Sequence, residues 1–420
     1  MKQLLTLLAA ATVGTTISPL SLNVALFNNI TASSTPKFTT LTSKGVAWQS
    51  IAVSDTAGII YETGTKAYFF DSTKVNTSSK GLIDLNKKGR FLRLSDTLVI
   101  FIDSKTTYLF DITKINTSSK GFTNLNHKTI YFYRMSDTSG MFKAENGYAC
   151  FFDLTTMKIT ELNLIFNEFH PMSETSGIFD TNNDETYFFD STKINQPNKG
   201  LTKIEADFRR YLCLSDTLAV FWNSVCEAVL FDSTKVNDSS QGLTNLSQKI
   251  YQFYRLSDTT AIMSDLMTDE MLYFDVTKIN DSSYGFTKLS KKLFSFDRLS
   301  ETTGIFVEQA KTYKSKDPIT WFFDVTKIND LSNAFTLIKN DSMIGFSRIS
   351  DTTAFISTAR DDNKIGVYSW LFDATKINDS SPGLTSVNPM RGFSPLTNTT
   401  GIFNSSTSAI KEYNYYFEYK

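Results

Sequence analysis

The sequence predicts an all-β protein built from about nine repeats of a four-stranded unit, because two short motifs recur in step along its 420 residues. The first is F-D-x-T-K or a degenerate copy of it, with its acidic residue at Asp71, Asp111, Asp153, Asp190, Asp232, Asp275, Asp324, Asp373 and Glu418. The second is S-D/E-T or a degenerate copy of it, with its central residue at Asp55, Asp96, Asp137, Glu174, Asp216, Asp258, Glu301, Asp351 and Asn398. The repeat averages about 43 residues, a period typical of tandem supersecondary units.

Four short apolar runs in each repeat predict four strands. In the third repeat these runs are "FYRMS", "SGMF", "YACFFD" and "KITELN". Each run is rich in aromatic and β-branched residues and is bounded by Ser, Thr, Asn, Asp or Gly, which indicates strands and not helices. The S-D/E-T motif therefore joins the first strand to the second, and the F-D-x-T-K motif ends the third.

The connection between the third and fourth strands predicts a hairpin. Most copies read D-x-T-K-I-N-x-S-S-x-G, whereas the third repeat reads "DLTTMKITEL" over residues 153–162, which is five residues shorter with both flanking runs kept. A connection that can shorten to a tight turn joins adjacent antiparallel strands. Its Asn, Ser and Gly residues supply the turn conformations.

Repeated four-stranded antiparallel units of this length predict a β-propeller of eight or nine blades, in which each sheet is one blade. The repeats begin at "KFTTLT", residues 37–42, which matches a fourth strand, and they end at "YYFEYK", which matches a third strand. Pairing of residues 38–41 with residues 415–419 would complete the last unit and close the ring without an open edge. We therefore expect residues 37–420 to form a single propeller domain.

Two steps of the repeat resemble bacterial propeller repeats of the TolB and YVTN type. The step L-S-D-T-x-x-I-F stands in the place of that family's S-P-D-G turn, with Asp-Thr where the family has Pro-Asp-Gly. The step Y-L-F-D-x-T stands in the place of its third strand, which ends in an acidic residue. The resemblance covers nearly all of residues 38–420 and implies the propeller fold.

The first 25 residues predict a secretory signal peptide, and residues 26–36 a linker. Lys2 is followed by an apolar run from about Leu4 to Val13 and then by small and polar residues up to Ala25, which is the order found in signal peptides. The alternative is a buried N-terminal strand or helix. The leader resembles those of exported proteins of wall-less bacteria, so we expect a secreted or surface location. No later run approaches 18 apolar residues, so no transmembrane helix is predicted.

The composition argues against several functions. The 42 Lys and Arg residues balance 43 Asp and Glu residues, which leaves no basic excess to neutralise the phosphates of a nucleic acid. Only His127 and His170 are present, and neither stands in a catalytic signature, so we predict no catalytic residue, metal or cofactor. Cys150, Cys213 and Cys226 are an odd number in apolar strand contexts and are expected to be buried thiols.

An arginine two residues before the Ser of the S-D/E-T motif predicts a structural lattice. A guanidinium buried between blades needs a carboxylate partner, and every repeat offers the acidic residue that ends its third strand. Five Arg near the propeller axis could alternatively form an anion site. The lattice is predicted to contain Arg93, Arg134, Arg255, Arg298, Arg348, Asp71, Asp111, Asp190, Asp232, Asp275, Asp324 and Asp373.

The connections of the repeat fall into two kinds. In a propeller, the first-to-second and third-to-fourth turns share one face, which we call the uniform face because these turns hardly differ between repeats. The second-to-third and inter-repeat connections share the opposite face, which we call the varied face. Uniform turns serve the fold, whereas varied loops are where recognition is built.

The longest varied connections predict a ligand site. Residues 307–320 in repeat 7 and residues 357–369 in repeat 8 each bring an aromatic residue beside cationic ones, as recognition loops do. We predict a non-enzymatic exported binding protein, adhesin-like or lectin-like, whose partner is an extracellular protein or glycan. The alternative is a secreted glycan hydrolase or lyase. The predicted ligand-binding residues are Lys311, Tyr313, Lys314, Arg360, Lys364 and Tyr368.

Overall fold

A computed structural model of the chain describes residues 37–42, 49–61, 66–205, 210–265, 268, 270–281, 283, 285–308, 319–330, 333–339, 343–361, 364–378, 381–387, 393–397, 400–406 and 412–418. The predicted signal peptide and linker lie outside the described residues. Among the described residues, no helix has the length and apolar character needed to cross a membrane.

The described strands follow the predicted repeats. The N-terminal strand is β1 (Lys37–Thr42). Repeat 1 contains β2 (Gln49–Ala52), β3 (Ala57–Tyr61), β4 (Ala67–Asp71) and β5 (Leu82–Asp84). Repeat 2 contains β6 (Arg90–Arg93), β7 (Leu98–Ile102), β8 (Thr107–Asp111) and β9 (Phe122–Asn124). Repeat 3 contains β10 (Thr129–Arg134), β11 (Ser139–Ala144), β12 (Tyr148–Asp153) and β13 (Lys158–Ile165). Repeat 4 contains β14 (Glu168–Pro171), β15 (Ser176–Asp180), β16 (Thr186–Asp190) and β17 (Leu201–Ile204).

Repeats 5 to 7 share strands at their boundaries. Repeat 5 contains β18 (Arg210–Cys213), β19 (Leu218–Trp222), β20 (Glu227–Asp232) and β21 (Leu243–Arg255). Repeat 6 begins within β21 and adds β22 (Thr260–Asp265), β23 (Glu270–Asp275) and β24 (Phe286–Arg298). Repeat 7 begins within β24 and adds β25 (Thr303–Glu308), β26 (Ile319–Asp324) and β27 (Phe335–Lys339). The two long strands make these three repeats one ten-stranded sheet.

The last repeats return to separate sheets. Repeat 8 contains β28 (Met343–Arg348), β29 (Thr353–Asp361), β30 (Lys364–Asn378) and β31 (Ser381–Val387). Repeat 9 contains β32 (Phe393–Pro395), β33 (Thr400–Ser406) and β34 (Glu412–Glu418), and its sheet order is β1-β34-β33-β32. The repeated four-stranded antiparallel sheets match a β-propeller, and the predicted strand class and repeat register are confirmed.

The third-to-fourth connection is a turn held by the Asp of the F-D-x-T-K motif. In repeat 2, the Asp111 side chain accepts the backbone N–H of Thr113 and begins a 3₁₀ turn at residues 112–114. The turn ends at Gly121, whose φ is +79°, and a Cβ there would lie 2.2 Å from the Asp111 carbonyl oxygen. The sequence therefore needs Gly at this position, both for the left-handed backbone and for the close approach.

The core lies between neighbouring repeats, because both faces of each sheet are covered. The Phe that precedes the third-strand Asp is fully buried in the first eight repeats: Phe70, Phe110, Phe152, Phe189, Phe231, Phe274, Phe323 and Phe372. Each contributes roughly 2 kcal/mol of burial free energy. Residues from the two chain ends also meet: Leu41, Leu396 and Ile402 pack in one buried cluster with Ile60 and Phe70 of repeat 1. Residues Phe38–Glu418 form one compact unit.

Candidate functional site

Among the described residues, a β-bulge interrupts the pairing near the start of the first strand in four repeats. In repeat 3, Thr129 pairs with Ala144 and Tyr131 pairs with Lys143, so Ile130 between them has no residue opposite. The same shift occurs in repeats 6, 7 and 8. A bulge redirects the side chain of its extra residue. The bulged residues are Ile130, Tyr251, Phe294 and Ile344.

The bulges expose apolar side chains on the varied face. Ile130 is 47% exposed, Tyr251 46% and Phe294 60%, although the residues around them in the same strands are mostly buried or half-buried. The start of a first strand lies at the opposite end from the S-D/E-T turn and therefore at the varied face. Exposed apolar and aromatic groups that recur at one position are typical of a binding surface. We call Ile130, Tyr251 and Phe294 the bulge residues.

The bulge residues are not among the ligand-binding residues predicted from the sequence. Each stands four positions before the first-strand Arg, in "IYFYR", "YQFYR" and "FSFDR". Strict alternation would assign every second residue to a buried face, and one extra residue per strand is not visible in that pattern. The recurrence of a large apolar residue at that one offset is the signal that could have found them.

A cavity of about 590 Å³ lies on the same face between repeats 2 and 3. It is lined by residues of two inter-repeat connections and two second-to-third connections. Gly89 stands at the offset that Ile130 holds in repeat 3, and a Cβ on Gly89 would lie 2.2 Å from the Ile102 carbonyl oxygen. No side chain fits at this position, so the close approach of the two strands requires Gly. The lining residues are Lys88, Gly89, Arg90, Ile102, Asp103, Ser104, Lys128, Thr129, Ile130 and Glu145.

Some charged side chains of this cavity have an ion-pair or hydrogen-bond partner, and others have no ion pair. Lys128 forms an ion pair with Glu145, and the Asp103 carboxylate accepts backbone N–H groups of the loop that follows it. Arg90 lies over the Tyr131 ring, 4.8 Å from its centroid. Within the described part of the chain, neither Lys88 nor Arg90 has an ion pair. The Thr129 hydroxyl is buried and has no hydrogen-bond partner there.

The predicted ligand-binding residues are only partly described. Strand β25 ends at Glu308 and β26 begins at Ile319, so Lys311, Tyr313 and Lys314 lie outside the described residues. The prediction of a loop over residues 357–369 is wrong. Strands β29 and β30 continue as a paired hairpin through this segment, with Arg360 opposite Ile365, Asp361 opposite Lys364 and Thr358 opposite Tyr368.

The predicted Arg–Asp lattice is organised differently from our expectation. Each Arg pairs with the acidic residue of its own S-D/E-T turn, three positions on, and these acidic partners are 64–73% exposed. The Asp that ends the third strand instead binds the Lys three positions after it, at 2.9 to 3.6 Å. The described ion pairs thus separate Arg93, Arg134, Arg255, Arg298 and Arg348 from Asp71, Asp111, Asp190, Asp232, Asp275, Asp324 and Asp373.

Local capping explains why the two sets do not meet. Burial by itself would raise the pKa of Asp111, but hydrogen bonds from Thr113 and Lys114 outweigh burial and hold that pKa below its ordinary value. The carboxylate is therefore already satisfied within its turn. One Arg does reach a neighbouring repeat, since Arg134 Nε donates to the Leu94 carbonyl at 2.5 Å.

The Arg255→Ala variant should lose less than about 1 kcal/mol of unfolding free energy, as expected for an exposed ion pair. Its guanidinium pairs with Asp258, which stays in water, and its buried Nε has no partner to lose. Urea unfolding at neutral pH measures the change. A loss of about 3 kcal/mol would show that the substitution had left a buried carboxylate without its ion-pair partner.

The groups that could do chemistry are dispersed. Among the described residues, no three His, Cys, Asp or Glu side chains are placed to hold a metal ion. Burial lowers the pKa of His127 and of His170, although nearby glutamates oppose the effect. Cys150 and Cys226 are buried and Cys213 is half-buried, all as free thiols. Burial raises the pKa of Cys150 and of Cys213 to about 11, so both are protonated at neutral pH and are poor nucleophiles.

Comparisons with solved structures show the fold. A crystal structure of a eukaryotic initiation factor is similar with a TM-score of 0.57 at 10% identity, covering 86% of this chain and 98% of that one. Two WD40 domains score lower: that of Sif2 at 0.44 with 9% identity, covering 90% and 97%, and that of SCAP from fission yeast at 0.43 with 7% identity, covering 91% and 98%. No protein-family model and no curated protein sequence matches the chain, so the resemblance to the TolB and YVTN type has no such support.

Proposed function

We propose that this protein is a non-enzymatic binding propeller that holds a partner protein against its varied face. The observation that carries the proposal is the exposure of Ile130, Tyr251 and Phe294, three large apolar side chains that bulges turn outward at one position of three repeats. Such groups desolvate readily against a complementary surface and supply most of the free energy of protein association.

A closed ring of nine repeats is part of this proposal, because it would bring the bulges around one axis. Two features support closure. Strand β1 takes the edge of the last sheet beside β34, and the buried cluster of Leu41, Leu396 and Ile402 packs on repeat 1. Closure leaves no unpaired strand edge, which suits a protein made wholly of sheets.

The proposed place of action is outside the cell. The support is the sequence of the first 25 residues, with Lys2, an apolar run and a polar end. An adhesin-like role on a surface follows from export together with a binding face. A glycan partner would give a lectin-like role. We favour a protein because Ile130 and Phe294 carry no polar group with which to orient a sugar.

The three bulge residues are tested together as Ile130→Ser/Tyr251→Ser/Phe294→Ser. The wild-type protein and the triple variant are applied to arrays of surface peptides and of glycans, and the glycans are assayed for cleavage. We expect peptide signals that fall at least about tenfold in the triple variant, since each side chain is a candidate anchor. Met157→Asn is the matched control, because Met157 is a similarly exposed apolar residue on the uniform face whose positive φ suits Asn.

Two results would overturn this proposal. One is a set of ligands that a folded triple variant retains in full, which would move recognition away from the bulges. The other is cleavage of glycans by the wild-type protein, which would favour the hydrolase or lyase function. Melting temperatures within about 2 °C of the wild type would show that the variants are folded.

A further inference from the structure

We infer that the cavity between repeats 2 and 3 binds the carboxylate of an acidic side chain on the partner protein. This inference rests on the proposed function and names what the partner must present. Two observations at this cavity support it: cationic groups without ion pairs, and a buried hydroxyl without a hydrogen-bond partner.

The balance of charge in the cavity favours an anion. Lys128 and Glu145 neutralise each other, and the Asp103 carboxylate is occupied by the N–H groups of Lys105 and Thr106, at 2.7 and 2.8 Å. The Asp103 carboxylate keeps its negative charge, so the lining residues Lys88, Arg90 and Lys128 outnumber Asp103 and Glu145 by one positive charge. Charge-assisted hydrogen bonds from such groups to a carboxylate are stronger than neutral ones.

The buried hydroxyl of Thr129 supplies a third contact. Thr129 is 3% exposed and lines the cavity, and its oxygen has no hydrogen-bond partner among the described residues. A buried polar group without a partner costs free energy that a ligand can recover. A carboxylate oxygen can accept the proton of this hydroxyl, whereas an apolar side chain would leave it unsatisfied.

The surroundings of the cavity define the sequence that would fit. Ile130 lies on the cavity wall and is also a bulge residue. A peptide that enters the cavity with an acidic side chain can therefore place an apolar neighbour against Ile130. The ligand class is an acidic residue flanked by apolar residues in an extended segment of the partner.

The probe is a fluorescein-labelled peptide Gly-Leu-Glu-Leu-Glu-Leu-Gly, compared with versions that carry Gln or phosphoserine in place of Glu. Fluorescence anisotropy gives the affinity of each. We expect the Glu peptide to bind at least about tenfold more tightly than the Gln peptide, with a preference that weakens as NaCl rises from about 50 to about 500 mM.

The variant Lys88→Gln/Arg90→Gln should reduce that preference to less than about threefold, because both cations without ion pairs are gone. Lys105→Gln is the matched control, since its side chain is exposed in the neighbouring loop outside the cavity lining. Because Arg90 packs on Tyr131, Lys88→Gln and Thr129→Val are tested singly, and each should lower the preference at least about threefold.

Several outcomes would overturn the inference. They are equal binding of the Glu and Gln peptides, a preference that a folded double variant keeps, or no binding of the Glu peptide up to about 1 mM. Tighter binding of the phosphoserine peptide would assign the cavity to phosphate. If peptide binding is lost in the bulge-residue triple variant but shows no acidic preference, this inference fails while the proposed function stands.

Discussion

Deletion of residues 26–42 should unfold the protein or cause it to aggregate, whereas deletion of residues 26–35 should leave its stability unchanged. The longer deletion removes β1 from the edge of β34 and so exposes a row of unpaired backbone groups, which invites association between chains. It also removes Leu41, which is 4% exposed within the cluster that contains Phe70 and Leu396. The melting temperature and light scattering of both truncated proteins measure the effect.

A single substitution separates the packing of β1 from its hydrogen bonding. Leu41→Ala should cost about 2 to 4 kcal/mol through the cavity it leaves, without exposing a strand edge. It should therefore lower the melting temperature yet remain monodisperse. Equal melting temperatures for the two truncated proteins would contradict closure of the ring through β1.

Gly121→Val should cost about 3 to 4 kcal/mol, one of the largest single-residue effects expected in this chain. The φ of Gly121 is +79°, a region that β-branched residues avoid, and the new Cβ would lie 2.2 Å from the Asp111 carbonyl oxygen. A backbone atom cannot rotate away as a side chain can, so the turn itself must open. Loss of the turn would also release the cap that Asp111 provides.

The control for this glycine is Ser118→Val, an exposed site earlier in the same turn without a positive φ. That change should alter stability by less than about 0.5 kcal/mol. Urea unfolding of both variants measures the difference. Equal stability of Gly121→Val and the wild-type protein would show that the turn tolerates other conformations and that the recurrent Gly has another cause.

The repeat and its strands could be predicted because they depend on local pattern. The paired positions of the F-D-x-T-K and S-D/E-T motifs set the strand register, and the short third copy at Asp153 revealed the hairpin. The Arg partners could not be predicted in the same way. Both motifs supply a carboxylate in nearly every repeat, and only the three-dimensional turn shows that Asp111 is already occupied by Thr113 and Lys114.

The candidate site depends on pairing across strands, which one strand's sequence does not contain. Ile130 is exposed because Thr129 and Tyr131 pair with consecutive residues of β11. Likewise, the polar segment 357–369 lacks the alternation that predicts strands, yet β29 and β30 pair along it. Where local pattern and tertiary pairing disagree, the bulge residues were missed and a paired hairpin was predicted to be a loop.

Hydrogen–deuterium exchange in the presence of the strongest array ligand tests the central claim, that the varied face binds and the uniform face supports the fold. We expect slower exchange at the bulges of Ile130, Tyr251 and Phe294 and in the connection that contains Lys88, with the S-D/E-T turns unchanged. Slowing confined to the S-D/E-T and F-D-x-T-K turns would contradict the claim and place recognition on the uniform face.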